Sequence, residues 1–312
     1  MTQCDPTTLP GPSSPRVRGA RLWILVCLIA IGYVGLCIGF YCLEDRRLFP
    51  GRATQGKAYA VVPPSPKYEL VHFNTSNGEA VVALFGRALD ADDHELADAA
   101  SRPSVLYFYG NGMSMANSFS EFYNFRRLGL NVMIPDYPGY GMSSGKASER
   151  SFYAAADAAY DNLSHRPDVD PRQIVSAGWS LGAAVATDLA AHRPVMCLAT
   201  FSAFTSWSDQ TRIHFFWLPT SLLLRYHFDN ETKFSALRCP VFIAHGRHDR
   251  TVPFAMCQRL AAARGGVIPL EIDSDHAHIF VRGGADMMNA FHRFIEGCRP
   301  RKVNGIYNST AP

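Results

Sequence analysis

The chain has 312 residues, 47% of them apolar and 18% charged, with a formal net charge of +3. That is the composition of an ordinary globular protein, long enough for one large domain or two small ones. A weak positive balance with no basic stripe and no interleaved aromatics argues against a nucleic-acid partner.

Residues 1–21, rich in Pro, Ser, Thr and Gly, read as a flexible tail. Residues 22–43 form an uncharged apolar run that, as a helix, extends about 33 Å, enough to cross a bilayer core. Arg16, Arg18 and Arg21 precede it, and Glu44-Asp45-Arg46-Arg47 ends it. Trp23 and Tyr41 lie near its edges, where amphipathic rings favour the interface. A cleaved signal peptide has a shorter apolar core, and no small-residue cleavage site follows before Glu44. Leu36, not a small residue, precedes Cys37, so a lipoprotein signal fits poorly. The chain is therefore expected to be a single-pass membrane protein. Its orientation stays open, because Arg46, Arg47, Arg52 and Lys57 nearly balance the arginines on the other side.

Cys27, Cys37 and Cys42 fall inside the run, and Cys4, Cys197, Cys239, Cys257 and Cys298 are scattered. With no CxxC pair and no zinc spacing, neither a disulfide framework nor a metal site is expected. Asn74, Asn162, Asn230 and Asn308 each begin a glycosylation sequon, relevant only if the domain enters a secretory lumen.

Residues 44–66 carry several Pro and Gly residues and no long apolar period, and read as a linker. Beyond them, strand and helix patterns alternate. Strands are expected over 68–73 and 80–85, a surface loop or short helix over 89–101, and a buried strand over 105–109. Phe119, Phe122, Phe125 and Leu128 recur at helical spacing within 117–128. A strand over 131–135 precedes an Ala-rich helix over 151–163. Residues 174–177 form a strand that runs into Gly178-Trp179-Ser180-Leu181-Gly182, followed by the small, helix-prone residues 183–191. Strands over 195–201, 241–245 and 267–272 alternate with helices over 254–263 and 279–295. Repeated alternation of this kind means crossover units, a mainly parallel sheet and helices on both faces. Ligands on such sheets bind beyond the carboxyl ends of the strands.

The Gly-x-Ser-x-Gly turn between a strand and a helix exposes a serine hydroxyl on a strained backbone, with glycines where side chains would clash. Ser180 then needs a base, and the base an orienting carboxylate. Asp249 lies in the loop after strand 241–245. His276 and His278 lie in the loop after strand 267–272. The order Ser180, Asp249, His276 is the one expected of hydrolases with this elbow. His276 is preferred as base because it precedes the helical pattern, whereas His278 falls in the helix's first turn. An oxyanion hole needs two N–H donors. Leu181, next after the serine, and Asn111, in the loop Tyr109-Gly110-Asn111-Gly112-Met113, are the candidates.

With these motifs in place, the chain resembles the α/β-hydrolase superfamily, and within it the small-lid, membrane-anchored serine hydrolases of the bud-emergence-protein-like, ABHD type. The resemblance rests on Asp136-Tyr137-Pro138-Gly139-Tyr140-Gly141-Met142-Ser143-Ser144-Gly145, on Phe228-Asp229-Asn230 and on His245-Gly246-Arg247-His248-Asp249-Arg250-Thr251-Val252-Pro253, and spans about residues 22–298. It implies a mainly parallel sheet of about eight strands with helices on both faces, preceded by one transmembrane helix. The hydrolase domain would cover 67–298, with a short lid near 205–236 and a tail over 299–312. Two positions depart from the family. Tyr109 stands where His usually precedes Gly-Asn, and Asp275 stands where Gly usually precedes the catalytic His, which puts a second carboxylate beside the base.

The reading is a membrane-tethered hydrolase of a carboxylic ester, thioester or amide, acting on a small-molecule or lipid acyl substrate without metal or organic cofactor. Met113, Tyr140, Trp179, Phe216 and Trp217 are candidate pocket residues. The apolar segment 213–224 would line an acyl pocket, touch the bilayer, or form the core of a lid helix. The rival readings are a serine peptidase of the same fold and a non-catalytic membrane-bound interaction protein that kept the fold. An epoxide or haloalkane hydrolase usually has Asp at the elbow, where this chain has Ser180.

Overall fold

The computed structural model describes residues 15–300, 302–303 and 306–307, with only the backbone at 15–20 and beyond 300. The chain divides into two units between Glu44 and Asp45. Helix α1 (Pro15–Leu48) makes up the described part of the first and lends its final turn to the second. Its apolar side chains are almost all exposed, Trp23 by 72% and Ile31 by 68%. Among the described residues, Arg21–Leu48 is the one helix long and apolar enough to cross a membrane. Residues 15–21 are helical rather than tail. The rest of the expected tail, with Cys4, lies outside the described residues.

The second unit holds β1 (Glu69–Asn74), β2 (Ala80–Gly86), β3 (Ser104–Phe108), α2 (Phe119–Arg127), β4 (Asn131–Pro135), α3 (Glu149–Ser164), β5 (Ile174–Trp179), α4 (Leu181–His192), β6 (Cys197–Phe201), α5 (Trp207–Arg212), α6 (Thr220–Leu223), α7 (Asn230–Ala236), β7 (Val241–Gly246), α8 (Phe254–Arg264), β8 (Leu270–Ile272) and α9 (Ile279–Cys298). The first eight strands form one sheet in the order β1-β2-β4-β3-β5-β6-β7-β8. β1, β2 and β4 pair antiparallel, and every pair from β4–β3 to β7–β8 is parallel.

The alternation of the strands sorts the core. In β3, Tyr107 meets Phe125 of α2 and Phe280 of α9, while the adjacent Phe108 stacks towards Tyr137, which lies on Phe152 of α3. In β6, Phe201 meets Phe125, Phe280 and Phe291, so α2 and α9 cover one face. Helix α3 packs on α4, α4 on α7 and α7 on α8, which cover the other. Tyr107, Phe108, Phe125 and Phe201 are all fully buried, and each such side chain contributes about 1.5–3 kcal/mol of hydrophobic stabilisation.

From β3 the chain crosses through α2 to β4 on one side. From β5 it crosses through α4 to β6 on the other. Adjacent strands whose connections diverge open a crevice at their carboxyl ends, and the loops after β3 and β5 frame it.

Two boundaries of the domain differ from the sequence reading. The segment 44–66 is not a linker. Phe49 is fully buried, with its ring 5.1 Å from that of Phe152 and 4.9 Å from that of Tyr226, and Ala60 and Val62 are buried as well. It holds two 3-10 turns, Pro50–Thr54, which opens on Pro50-Gly51, and Ala58–Ala60. The expected lid is three short helices, α5 to α7. The domain also continues past Cys298, because the Arg299 guanidinium donates to Gln173 Oε1 at 3.0 Å. Asn230 is buried and donates to the Phe204 carbonyl at 2.8 Å, so the folded domain does not present that sequon. Asn308 lies outside the described residues.

Candidate active site

Strand β5 delivers Trp179 and Ser180 to the head of α4. Ser180 sits at φ 55°, ψ −118°, a left-handed conformation costly for a residue with a Cβ. Its backbone N–H donates to the Phe201 carbonyl at 2.9 Å, which ties the turn to the end of β6. The flanking glycines are required by contact. A Cβ on Gly178 would lie 2.1 Å from the Gly182 carbonyl oxygen, and one on Gly182 would lie 2.0 Å from that of Phe108.

The loop after β7 carries Asp249 and the loop after β8 carries His276. His276 Nδ1 lies 2.7 Å from Asp249 Oδ2, and His276 Nε2 lies 2.9 Å from Ser180 Oγ. Asp249 Oδ1 accepts the backbone N–H groups of Thr251 at 2.9 Å and Val252 at 2.7 Å. Burial pushes the Asp249 carboxyl up, but hydrogen bonds from His245 and His276, the His276 charge and the Val252 amide outweigh it and hold the group at about 2. An imidazole held between a carboxylate and a serine hydroxyl can take the serine proton while the carboxylate stabilises the resulting cation.

The second carboxylate is turned away. Asp275 accepts from the His278 backbone N–H at 3.0 Å, and its Oδ1 lies 2.8 Å from His278 Nδ1. The expectation that Asp275 acts on the base is therefore not met, because its carboxylate bonds to His278, the N-cap residue of α9, instead. Both residues are exposed, whereas the His276 side chain is largely covered.

The loop after β3 runs beside the elbow. Phe108 and Gly178 are cross-strand partners, and a Cβ on Gly182 would lie 2.6 Å from the Tyr109 carbonyl oxygen, so the start of the loop lies against the head of α4. Gly110 has no room for a Cβ, which would lie 2.8 Å from the Trp179 ring. Asn111 and Met113 are half-buried and Leu181 is buried. The Trp179 ring is half-buried and tilted beside His276, with centroids 5.3 Å apart. Tyr140 is not a pocket residue. It is fully buried, and its hydroxyl donates to the Asn111 carbonyl at 2.9 Å. Phe216 is 82% exposed and Trp217 44%, because the α5–α6 connection runs over the surface, so they do not enclose an acyl pocket.

Two residues that the sequence reading named only within motifs support the site. His245 is fully buried, its Nε2 2.8 Å from the Val252 carbonyl and 3.4 Å from Asp249 Oδ2. Asp136 is also buried, and burial raises its carboxyl against three donors: Tyr109 Oη at 2.8 Å, Met115 N at 2.7 Å and Met142 N at 2.8 Å. Tyr109, the departure from the family's His, thus points beneath the loop and braces it on Asp136. An acidic residue directly after an apolar strand was the available signal for Asp136. Away from this site, Asp90, Asp92 and His94 bring ligand atoms within 4.8 Å of one another on a surface turn. A 570 Å³ cleft lined by Arg150, Tyr153 and Arg225, among others, includes none of Ser180, Asp249 and His276.

The chain matches the Alpha/beta hydrolase family model over residues 110–226. It is 32% identical to the uncharacterized protein Rv2307c of Mycobacterium tuberculosis over 91% of this chain and 97% of that protein. The chain belongs to the α/β-hydrolase family. This α/β-hydrolase is also 30% identical to Alpha/beta hydrolase domain-containing protein 17B of Xenopus laevis, over 58% of this chain and 59% of that one. Among solved structures it shares its fold with a Pyrococcus furiosus esterase (TM-score 0.60, 18% identity, 76% of this chain and 94% of that chain). The Vibrio vulnificus alpha-beta hydrolase is a second such neighbour (TM-score 0.64, 16% identity, 82% and 92%).

Proposed function

We propose that this α/β-hydrolase is a membrane-anchored serine hydrolase that cleaves a carboxylic ester or thioester, or an amide, of a small-molecule or lipid acyl substrate. The observation that carries the reading is the His276 ring between Asp249 at 2.7 Å and Ser180 at 2.9 Å, with Ser180 on a strained elbow. The nearness in fold to an esterase supports it.

In this reading Ser180 Oγ attacks the substrate carbonyl carbon while His276 Nε2 takes its proton. Asp249, ionised and hydrogen-bonded to Nδ1, fixes the tautomer and stabilises the imidazolium. The N–H groups of Asn111 and Leu181 hold the developing oxyanion, the second at the N-terminus of α4. The tetrahedral intermediate collapses, the His276 proton passes to the leaving group, and the acyl group stays on Ser180 Oγ. Water then loses a proton to His276 and attacks the acyl carbon. The carboxylic acid leaves, and the proton returns to Ser180. The anchor is residues 22–43 of α1, supported by their exposed apolar side chains. The segment between β6 and β7 acts as a partial lid over the crevice.

The test is hydrolysis of a p-nitrophenyl ester series by full-length protein in detergent. Release of nitrophenolate is expected from the native protein, with a loss of about 10³-fold or more in Ser180→Ala. Equal rates in the two would remove Ser180 from the mechanism.

A further inference from the structure

The chain that leaves α1 runs into the loop that carries Asn111. Gly51 N–H donates to the Asn111 carbonyl at 2.9 Å, and the Tyr140 hydroxyl donates to the same oxygen at 2.9 Å. A carbonyl oxygen has two lone pairs, and here both are taken. The peptide plane after Asn111 is thereby fixed from two sides. The peptide before it is fixed as well, because the Gly110 carbonyl accepts the Met113 N–H at 3.3 Å. A trans peptide points its N–H opposite to its carbonyl, so the Asn111 N–H is turned out of that turn.

The approach of Gly51 is close enough to demand glycine. A Cβ there would lie 2.1 Å from Tyr140 Cε1 and 2.8 Å from the Asn111 carbonyl oxygen. The neighbours of Gly51 extend the attachment. Thr54 Oγ1 donates to the Gly51 carbonyl at 2.6 Å and accepts the Gly141 N–H at 2.9 Å. Gly56 N–H donates to the Gly141 carbonyl at 2.9 Å, and Gln55 Nε2 donates to that of Ser143 at 3.0 Å. Gly141 in turn leaves no room beside Asp136, since a Cβ would lie 2.0 Å from Asp136 Oδ2. Asp136 collects Tyr109, Met115 and Met142. Segments 49–56, 109–115 and 136–143 thus form one hydrogen-bonded block, with Phe49 as its buried apolar plug.

We propose that residues 49–56, the first after the anchor helix, are a positioning element of the oxyanion loop, with Gly51 and Tyr140 as the positioning residues that aim the Asn111 N–H. The inference rests on the serine-hydrolase reading only for the identity of Asn111 as donor. Its structural content is that the post-anchor segment sets the conformation of residues 110–113. The catalytic domain of this chain then includes residues 49–56 and does not begin near residue 67.

The experiment compares full-length native protein, Tyr140→Phe and Gly51→Ala by three readouts: ester kinetics, inhibition by an alkyl trifluoromethyl ketone, and backbone hydrogen exchange over residues 110–115. A ketone of this type adds to the serine and places its oxyanion in the hole, so its affinity reports hole geometry. Tyr140→Phe removes one hydrogen bond and keeps the ring. It is expected to lower kcat by roughly tenfold, leave KM within about twofold, and weaken the ketone by the same factor as kcat. Exchange at 110–115 should accelerate while the β5 and β6 amides stay as protected as in the native protein. Gly51→Ala should do the same more strongly. If it fails to fold, Tyr140→Phe decides alone. Native kcat and ketone affinity in Tyr140→Phe, or a loss carried by KM alone, would overturn the proposal. If the native protein neither cleaves the esters nor binds the ketone, the hydrolase reading falls. The exchange comparison then still decides whether 49–56 holds the loop, and unchanged exchange would reject it.

Discussion

Asp275 is bonded to His278, not to His276. Its Oδ1 lies 2.8 Å from His278 Nδ1 and its Oδ2 3.0 Å from the same nitrogen. Local hydrogen bonds, led by that to the His278 side chain, hold its carboxyl below the usual range. His276 is left with Asp249 as its carboxylate. His276→Ala is therefore expected to lower kcat by about 10³-fold or more. His278→Ala, and Asp275→Gly with it, should stay within a few-fold of native, and Asp275→Gly should leave the acid limb of kcat/KM where it was. A larger loss in His278→Ala than in His276→Ala would reassign the base.

Asp249, held at about 2, titrates below the range of an ordinary aspartate, near 3.9. A carboxyl lowered in the folded state contributes stability that is complete above pH ~4 and is lost as pH falls towards 2, here on the order of 2 kcal/mol. Urea unfolding from pH 6 to pH 2 should show that decline in the native protein and a shallower one in Asp249→Asn. At neutral pH the same variant should lose about 10⁴-fold in kcat, because its amide favours the wrong imidazole tautomer. Parallel pH profiles of stability in the two proteins would contradict the placement.

At the elbow, Gly182→Ala would put a methyl 2.0 Å from the Phe108 carbonyl oxygen, and backbone on both sides leaves nowhere to move. A loss of about 1–3 kcal/mol or more is expected in denaturant unfolding, together with loss of activity. Gly112→Ala meets nothing within 4 Å and should be stable. Equal stability of Gly182→Ala and the native protein would mean that the elbow and β3 are farther apart than described.

Phe216 presents a large exposed ring. Phe216→Ala should change unfolding free energy by less than about 0.5 kcal/mol and leave the ranking of soluble acyl esters by chain length unaltered. A flattened chain-length profile would return Phe216 to the acyl pocket.

Much of this was legible in the sequence because each signal was local. A strained serine needs glycines on both sides, and β3, β5, β6 and β7 read as short apolar runs bounded by turns. The order of Ser180, Asp249 and His276 followed from which strand each one ends. What escaped depends on tertiary contact. Nothing in the spacing of Phe49, Gly51 and Thr54 separates a linker from a segment that packs on Tyr140, since Pro and Gly mark turns whether exposed or buried. Tyr140 and Phe216 were both read as pocket aromatics, yet one is wholly buried and the other projects into solvent. Aromatic identity fixes neither burial nor direction. The pairing of Asp275 with His278 is made in the turn that leads into α9, finer than periodicity resolves.

The proposed membrane anchor has its own check. Full-length protein should remain with membranes in alkaline carbonate, and its mature N-terminus should precede residue 22. Extraction by carbonate, or a mature chain that begins after residue 43, would exclude the anchor.

Ser180 is proposed as a nucleophile activated by His276, and covalent labelling reads that activation without a substrate. Full-length protein is treated with a fluorophosphonate, and the adduct is located by peptide mass spectrometry. One phosphonylated residue, Ser180, is expected. Labelling should be abolished in Ser180→Ala and slowed by about 10³-fold or more in His276→Ala. Labelling of a folded Ser180→Ala variant at the native rate, or an adduct on another residue, would contradict it.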